Sequence, residues 1–228
     1  MQVIYEDNHI IVINKESGEI VQGDKTGDRP LSELVKDYIK EKYQKPGAVF
    51  LGVVHRLDRP VSGLVVFART SKALARLNKM FAEKEDVSKT YWAIVENAKT
   101  VLTTTDVPTL LTHWLTRNEQ QNKAYAYDHE VPRSKKAMLR YHVLSRGDRY
   151  TLLEVQLLTG RHHQIRCQLA AIGCPIRGDL KYGARRSNAD GSISLLARRI
   201  SFVHPVSKEI ITLEAPLPAD TLWQALLH

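Results

Sequence analysis

The apolar positions begin in two short runs. Val3-Ile4-Tyr5 and Ile10-Ile11-Val12-Ile13 flank Asp7-Asn8, the pattern of a hairpin-like pair of strands. The polar Gly/Pro stretch GDKTGDRP (23–30) reads as a loop. After it, Leu31, Leu34, Val35, Tyr38 and Ile39 recur at helical spacing, with Asp28 or Ser32 available near the helix start. KPGAVFLGVV predicts a strand leading into HRLDRPVSG, and GLVVFA a second strand leaving it. Ser71 is placed to cap a helix whose Leu74, Leu77, Met80 and Phe81 share a face. SKTYWAIVEN alternates as a strand, with Tyr91, Ala93 and Val95 on one side and Trp92, Ile94 and Glu96 on the other.

Residues 97–135 are polar and loop-like, with short strands expected only around His113–Leu115 and Ala124–Tyr127. KAMLRYHVLS and YTLLEVQLL form a hairpin about Arg146-Gly147-Asp148. HHQIRCQLAAIG predicts a short helix opened by Arg161 and stopped by Gly173. A last strand pair, ISLLARRISFVH and EIITLEAP, precedes a terminal helix, TLWQALLH. Many hairpin strands and few helices predict an α+β fold: a mixed, largely antiparallel sheet with flanking helices and a central active-site cleft. No long linker interrupts the pattern, so residues 1–228 are expected to form a single domain.

Composition changes this picture in one respect. Of 228 residues, 33 are Lys or Arg and 25 are Asp or Glu, a formal charge of +8, which points to a polyanionic partner. The excess is concentrated. Residues 133–149 carry six Lys/Arg against one Asp, and residues 161–199 eight against two. Two cysteines make no disulfide framework, and no signal peptide or membrane-length apolar run is present, so a cytoplasmic protein is expected.

Two stretches carry chemistry. In HRLDRPVSG (55–63), Asp58 lies in a turn between Arg56 and Arg59. It differs from the kinase His-Arg-Asp loop, because Leu57 intervenes and no glycine-rich loop or Asp-Phe-Gly accompanies it. In LLTGRHHQIRCQLAAIGCPIRGDLKYG (157–183), Thr159-Gly160 ends a strand and Arg161 follows, a place suited to an anion. His162, His163, Cys167 and Cys174 lack the CxxC or HExxH spacing of a zinc site, and no metal is expected.

Together these stretches resemble the RluA family of pseudouridine synthases. Three matches occur in the family's order: HRLD through Ala-Arg-Thr (55–70), KTYWAIVEN (89–97) and TGRHHQIRCQLAAIGCPIRGDLKYG (159–183). DNHIIVINKESG (7–18) is similar to the family's first strand pair. Val61 stands where threonine is commoner, and Glu16 where proline is. The resemblance implies an RNA isomerase that uses no cofactor and turns a flipped-out uridine into pseudouridine. Asp58 is then the catalytic carboxylate, Tyr91 the active-site tyrosine and Arg161 the cation near Asp58. The implied substrate-binding set is His55, Arg56, Leu57, His163, Ile165, Arg166, Lys135 and Lys136, with Leu57 and Ile165 as apolar walls. Arg166 stands five residues beyond Arg161, facing elsewhere on the helix. No S4-like module is read in this sequence, so a compact stem-loop in tRNA or rRNA, bound by a monomer, is expected. Rival readings are a non-catalytic RNA-binding protein and a nucleosidase or glycosidase, the latter needing a second carboxylate that no matched motif supplies.

Overall fold

The computed structural model describes residues 1–83, 85–97, 102 and 107–227. In chain order the strands are β1 (Gln2–Glu6), β2 (Ile10–Lys15), β3 (Gly52–Val53), β4 (Ser62–Ala68), β5 (Val87–Glu96), β6 (Thr109–Asn118), β7 (Lys123–Tyr127), β8 (Lys135–Arg146), β9 (Tyr150–Leu157), β10 (Leu195–Val203) and β11 (Ile210–Glu214). The helices are α1 (Leu31–Lys42), α2 (Ser71–Glu83), α3 (Gln164–Ala171) and α4 (Thr221–Ala225). The class is α+β, as expected. The chain divides into two compact units, one of Met1–Lys89 with Ala197–Pro216 and one of Thr90–Leu196 with Leu217–His228.

In the first unit the strands run β1-β2-β4-β10, with β11 on β10 and β3 on β4. The β1–β2, β2–β4, β3–β4 and β10–β11 pairings are antiparallel. Ile10–Ile13 and Leu64–Ala68 are continuous apolar runs because both faces of β2 and β4 are covered. Asp7 makes the turn between β1 and β2, its carboxylate accepting from the amides of His9 and Ile10 at 2.7 and 2.8 Å. Helix α1 buries Leu31, Val35 and Ile39. Its expected cap is not used: Pro30 stands at the N-cap position without a side-chain hydrogen bond. Helix α2 begins at Ser71, but Thr70 Oγ1 is the group that accepts from the Ala73 amide.

Strand β3 is only two residues long, shorter than KPGAVFLGVV predicts. Its ladder covers Phe67 and Ala68 of β4. The next amide, Val66, donates instead to His55 Nε2 at 3.1 Å. A side chain thus takes the place of a strand. Gly63 opens β4 with φ +114, and a Cβ there would lie 2.4 to 2.8 Å from backbone atoms of Ala197. Only glycine tolerates both the angle and the approach.

The second unit runs β5-β9-β8-β6-β7, with antiparallel pairing throughout this series. Strand β6 is far longer than the one expected around His113–Leu115, whereas β7 exceeds the expected Ala124–Tyr127 by one residue; residues 98–101 and 103–106 of that stretch lie outside the described residues. Helix α3 packs on this hairpin through a cluster of Leu115, Ala124, Ala137, Cys167 and Tyr182. It starts at Gln164, three residues after Arg161, because His163 takes a left-handed conformation (φ 50). Gly173, at φ +78, follows it as expected. The terminal helix spans Thr221–Ala225, and His228 lies outside the described residues.

Gly63→Ala is expected to destabilise the protein by on the order of 3 kcal/mol or more, since left-handed strain adds to a backbone clash. Urea unfolding of the variant checks this. A loss below about 1 kcal/mol would mean that the β4–β10 approach relaxes freely.

Candidate active site

Asp58 lies in a turn of the first unit, between β3 and β4. The Val61 amide closes this turn by donating to the Asp58 carbonyl at 3.0 Å. The segment after β2 holds the turn from below. Gly18 N donates to the Arg59 carbonyl at 2.9 Å, and Ser17 Oγ to that of Pro60 at 3.3 Å. The strongest tie was not legible in the motif. Lys15 ends β2 with a wholly buried side chain, and its ammonium donates to the carbonyls of Glu16 (2.9 Å), Arg59 (3.1 Å) and Val61 (2.6 Å). All three ammonium protons therefore have acceptors. Burial lowers the Lys15 pKa to about 8, opposed by the attraction of Glu19 and Asp58 and helped by Arg59.

The two arginines beside Asp58 differ. Arg56 is exposed. Arg59 turns to the 23–30 loop, donating to Asp28 at 2.6 Å and to Thr26 Oγ1 at 2.9 Å, with Asp24 at 3.8 Å. Leu57 is buried. His55, expected as a substrate contact, is engaged with its own unit. Its ring stacks on Phe81 at 5.2 Å while Nε2 accepts from Val66. Burial, aided by the nearby Lys89 charge, holds its pKa well below the usual histidine value. A neutral ring with an acceptor Nε2 is what that backbone amide requires.

In the second unit Tyr91 is a buried residue of β5, opposite Val155 of β9. Arg161 is exposed in the turn before α3. Its Nε donates to the Lys136 carbonyl at 3.1 Å and its amide to Gln164 Oε1 at 2.9 Å. Gln164 is the organiser here, and the sequence reading passed over it. Its Oε1 also accepts from Thr159 Oγ1 at 2.7 Å, and its Nε2 donates to the Met138 carbonyl at 3.0 Å. The turn that carries Arg161 is thereby fastened to β8. Lys135 is exposed, whereas the Lys136 ammonium stands 5.8 Å from the Trp114 ring centroid.

His163 and Arg166, both in the expected binding set, are buried. Arg166 is buried and paired with buried Asp179, its Nε and Nη2 donating to the two carboxylate oxygens at 2.7 and 2.8 Å. Its guanidinium lies 5.1 Å from the Tyr182 ring centroid. The Tyr182 hydroxyl accepts from the Ala124 amide at 2.8 Å and shares a hydrogen bond with His163 Nδ1 at 2.9 Å. Burial is the main cause of a raised Tyr182 pKa. The sequence GRHHQIR thus turns Arg161 outward and His163 and Arg166 inward. Ile165 is buried. Cys167, which helps pack α3, has its thiol pushed up to about 11 by burial. Among the described residues no group of His, Cys, Asp or Glu could hold a metal ion.

The comparisons with known proteins agree with one another. The family model for RNA pseudouridylate synthase matches residues 9–171. A ribosomal large subunit pseudouridine synthase C of Vibrio cholerae is 33% identical over 98% of this chain and 68% of its own length. An RNA pseudouridine synthase of Bacillus subtilis, YhcT, is 32% identical over 96% of this chain and 70% of its own. Among solved structures, human RNA pseudouridylate synthase domain containing 4 superposes with a TM-score of 0.76 at 22% identity, covering 97% of this chain and 90% of that one.

Two expectations follow from the buried charges. Arg166→Met should cost about 3 to 5 kcal/mol in a denaturant titration, because it strands the Asp179 carboxylate. A variant with wild-type stability and weakened ligand binding would return Arg166 to the binding set. For Lys15 the folded-state pKa, about 8, lies below the unfolded value near 10.5. The unfolded chain binds more protons between these values, so this group makes stability rise with pH across that window. The stability difference between wild type and Lys15→Met should therefore widen from pH 8 to pH 10. A constant difference would show that Lys15 does not titrate there.

Proposed function

Because the chain belongs to the RNA pseudouridylate synthase family, we propose that this RNA pseudouridine synthase isomerises a specific uridine in a tRNA or rRNA stem-loop, with Asp58 as the catalytic carboxylate. The reaction breaks the C1′–N1 glycosidic bond, turns the freed uracil and joins C5 to C1′. No cofactor enters this balance. A carboxylate beside C1′ attacks it, or stabilises the positive charge that develops there, as in glycoside cleavage.

The observation that carries the proposal is the support beneath Asp58. A buried ammonium with three carbonyl acceptors fixes the turn that bears the carboxylate. A carboxylate that merely closed a turn would need no buried cation under it. Tyr91 is proposed to stack on the target base and take part in proton transfer. Arg161 is proposed as the cation that orients the carboxylate, fastened by Gln164 and the Lys136 carbonyl. The uridine is flipped out of its stack to be reached, and exposed Arg56 fills the space it leaves. Leu57 and Ile165 supply apolar walls. Residues 1–228 are proposed to act as one catalytic domain, as a monomer and in the cytoplasm. Among the described residues no helix is long and apolar enough to cross a membrane.

The test is the loss and return of pseudouridine. Cells lacking the protein are complemented with wild type or Asp58→Asn, and chemically tagged pseudouridine in RNA digests is read by mass spectrometry. The site restored by wild type should stay unmodified with the variant, and purified Asp58→Asn should be slower on the order of 10³-fold or more. Its melting temperature should stay near wild type. Turnover close to wild type in the folded variant would remove Asp58 from the chemistry.

A further inference from the structure

Where β8 begins, opposite β6, the sheet edge opens. Lys135 pairs with Leu115, and β6 runs on to Asn118 with β7 alone beside it. The chain reaches β8 through a turn in which Ser134 N donates to the Val131 carbonyl at 3.0 Å and Ser134 Oγ accepts from Val131 N at 3.0 Å. Within that turn Arg133 holds a left-handed backbone, φ 64, a conformation uncommon for arginine. The gap between β6, this turn and the 159–162 turn is a cleft of about 280 Å³.

Four permanent cations line the cleft: Arg117, Arg133, Lys135 and Arg161, joined by the Thr116 hydroxyl and His162. No carboxylate lines it among the described residues, and none of the four cations has an ion-pair partner there. The contrast with the first unit is plain, where Arg59 is matched by Asp24 and Asp28. Among the described residues the Arg161 side chain is tethered through Nε alone, so its terminal guanidinium nitrogens are available to a ligand. Gly160 has nothing within 4 Å of where a Cβ would stand, so the backbone beside Arg161 is open to close approach.

We infer that this cleft is a cradle for one backbone phosphodiester of the RNA substrate, with Arg117 and Arg133 as its gripping residues. The inference rests on the proposed function and narrows it. Binding is assigned to one built site instead of to basic segments at large, and one of its cations, Arg117, comes from the stretch with the least readable pattern. Unmatched cations around a concavity repel one another until an anion joins them, and guanidinium pairs hold phosphate oxygens two at a time. The volume falls just below the roughly 300 Å³ at which small-ligand pockets begin. It suits a phosphate with part of its ribose rather than a whole cofactor. Because Arg161 belongs to both the cradle and the proposed catalytic set, a phosphate held here fixes the register in which the strand presents its uridine.

The test measures RNA affinity across a salt series, using a fluorescently labelled, unmodified uridine-containing stem-loop transcribed in vitro. Wild type is compared with Arg117→Gln/Arg133→Gln, with Arg117→Lys/Arg133→Lys, and with Arg140→Gln, an exposed β8 cation outside the cleft. Losing one phosphate contact should flatten the slope of log affinity against log salt by about 0.7 to 0.9 in the Gln pair. The Lys pair should keep the wild-type slope with weaker affinity, and Arg140→Gln should change neither. A Gln pair that melts like wild type and keeps its slope would overturn the cradle. If that pair does not fold, Arg117→Gln alone carries the same comparison. Wild-type protein that never modifies RNA would overturn the proposed function and the cradle together, whereas turnover with an unaltered slope removes the cradle alone.

Discussion

A single buried ammonium governs the first unit. Lys15 stands at the end of a strand whose other residues are isoleucine, valine and asparagine, and it brings a charge to a place without solvent. Such a charge is tolerated only when its hydrogen bonds are complete. The carbonyls that complete them come from the segment after β2 and from both sides of Pro60. Strand end and turn therefore cannot separate without leaving a cation unsolvated. That constraint gives the short HRLDRPVSG turn a defined shape. The position of Asp58 follows from it.

The second unit solves a similar problem with neutral groups. Gln164 uses both ends of its amide to hold Thr159, the Arg161 backbone and β8. Behind it, Arg166, Asp179, Tyr182 and His163 form a continuous buried network that reaches the Ala124 amide of β7. Satisfied networks of this kind specify one arrangement strongly, because any partial version leaves a buried group unpaired. Arg56 and Arg161, both proposed to meet RNA, face outward on turns that inward-facing polar residues hold still.

This division explains what could be read from the sequence. Strands β2, β4, β5, β8 and β9 were legible because apolar runs and alternation mark them directly. The β6–β7 hairpin was legible only as two short strands, since THWLTRN and KAYAY interleave threonine, histidine and lysine with few aliphatic residues, and their pairing depends on β8 and α3. Strand β3 was overestimated because nothing in VVHRL announces that a histidine ring will replace a ladder partner. The helix expected from His162 starts later, as the left-handed His163 can be known only from the Tyr182 bond that holds it. Within GRHHQIR the spacing correctly separated Arg161 from Arg166. Composition alone could not show that Arg166 faces Asp179, thirteen residues on. The family resemblance, carried by HRLD and GRHHQIR together, was the most legible feature, because those motifs combine the turns with what supports them.

The discontinuity of the first unit has a consequence for how the protein is made. Gly63 meets Ala197, so β4 acquires its β10 neighbour only after more than a hundred further residues have been synthesised. At ribosomal speeds that interval is on the order of ten seconds. During it the apolar edge of β4 stands on a nascent chain without its final partner, exposed to other chains. Loop closure over such a distance is slow compared with forming the β1–β2 hairpin. The unit that carries Asp58 is thus the first to begin folding and among the last to finish.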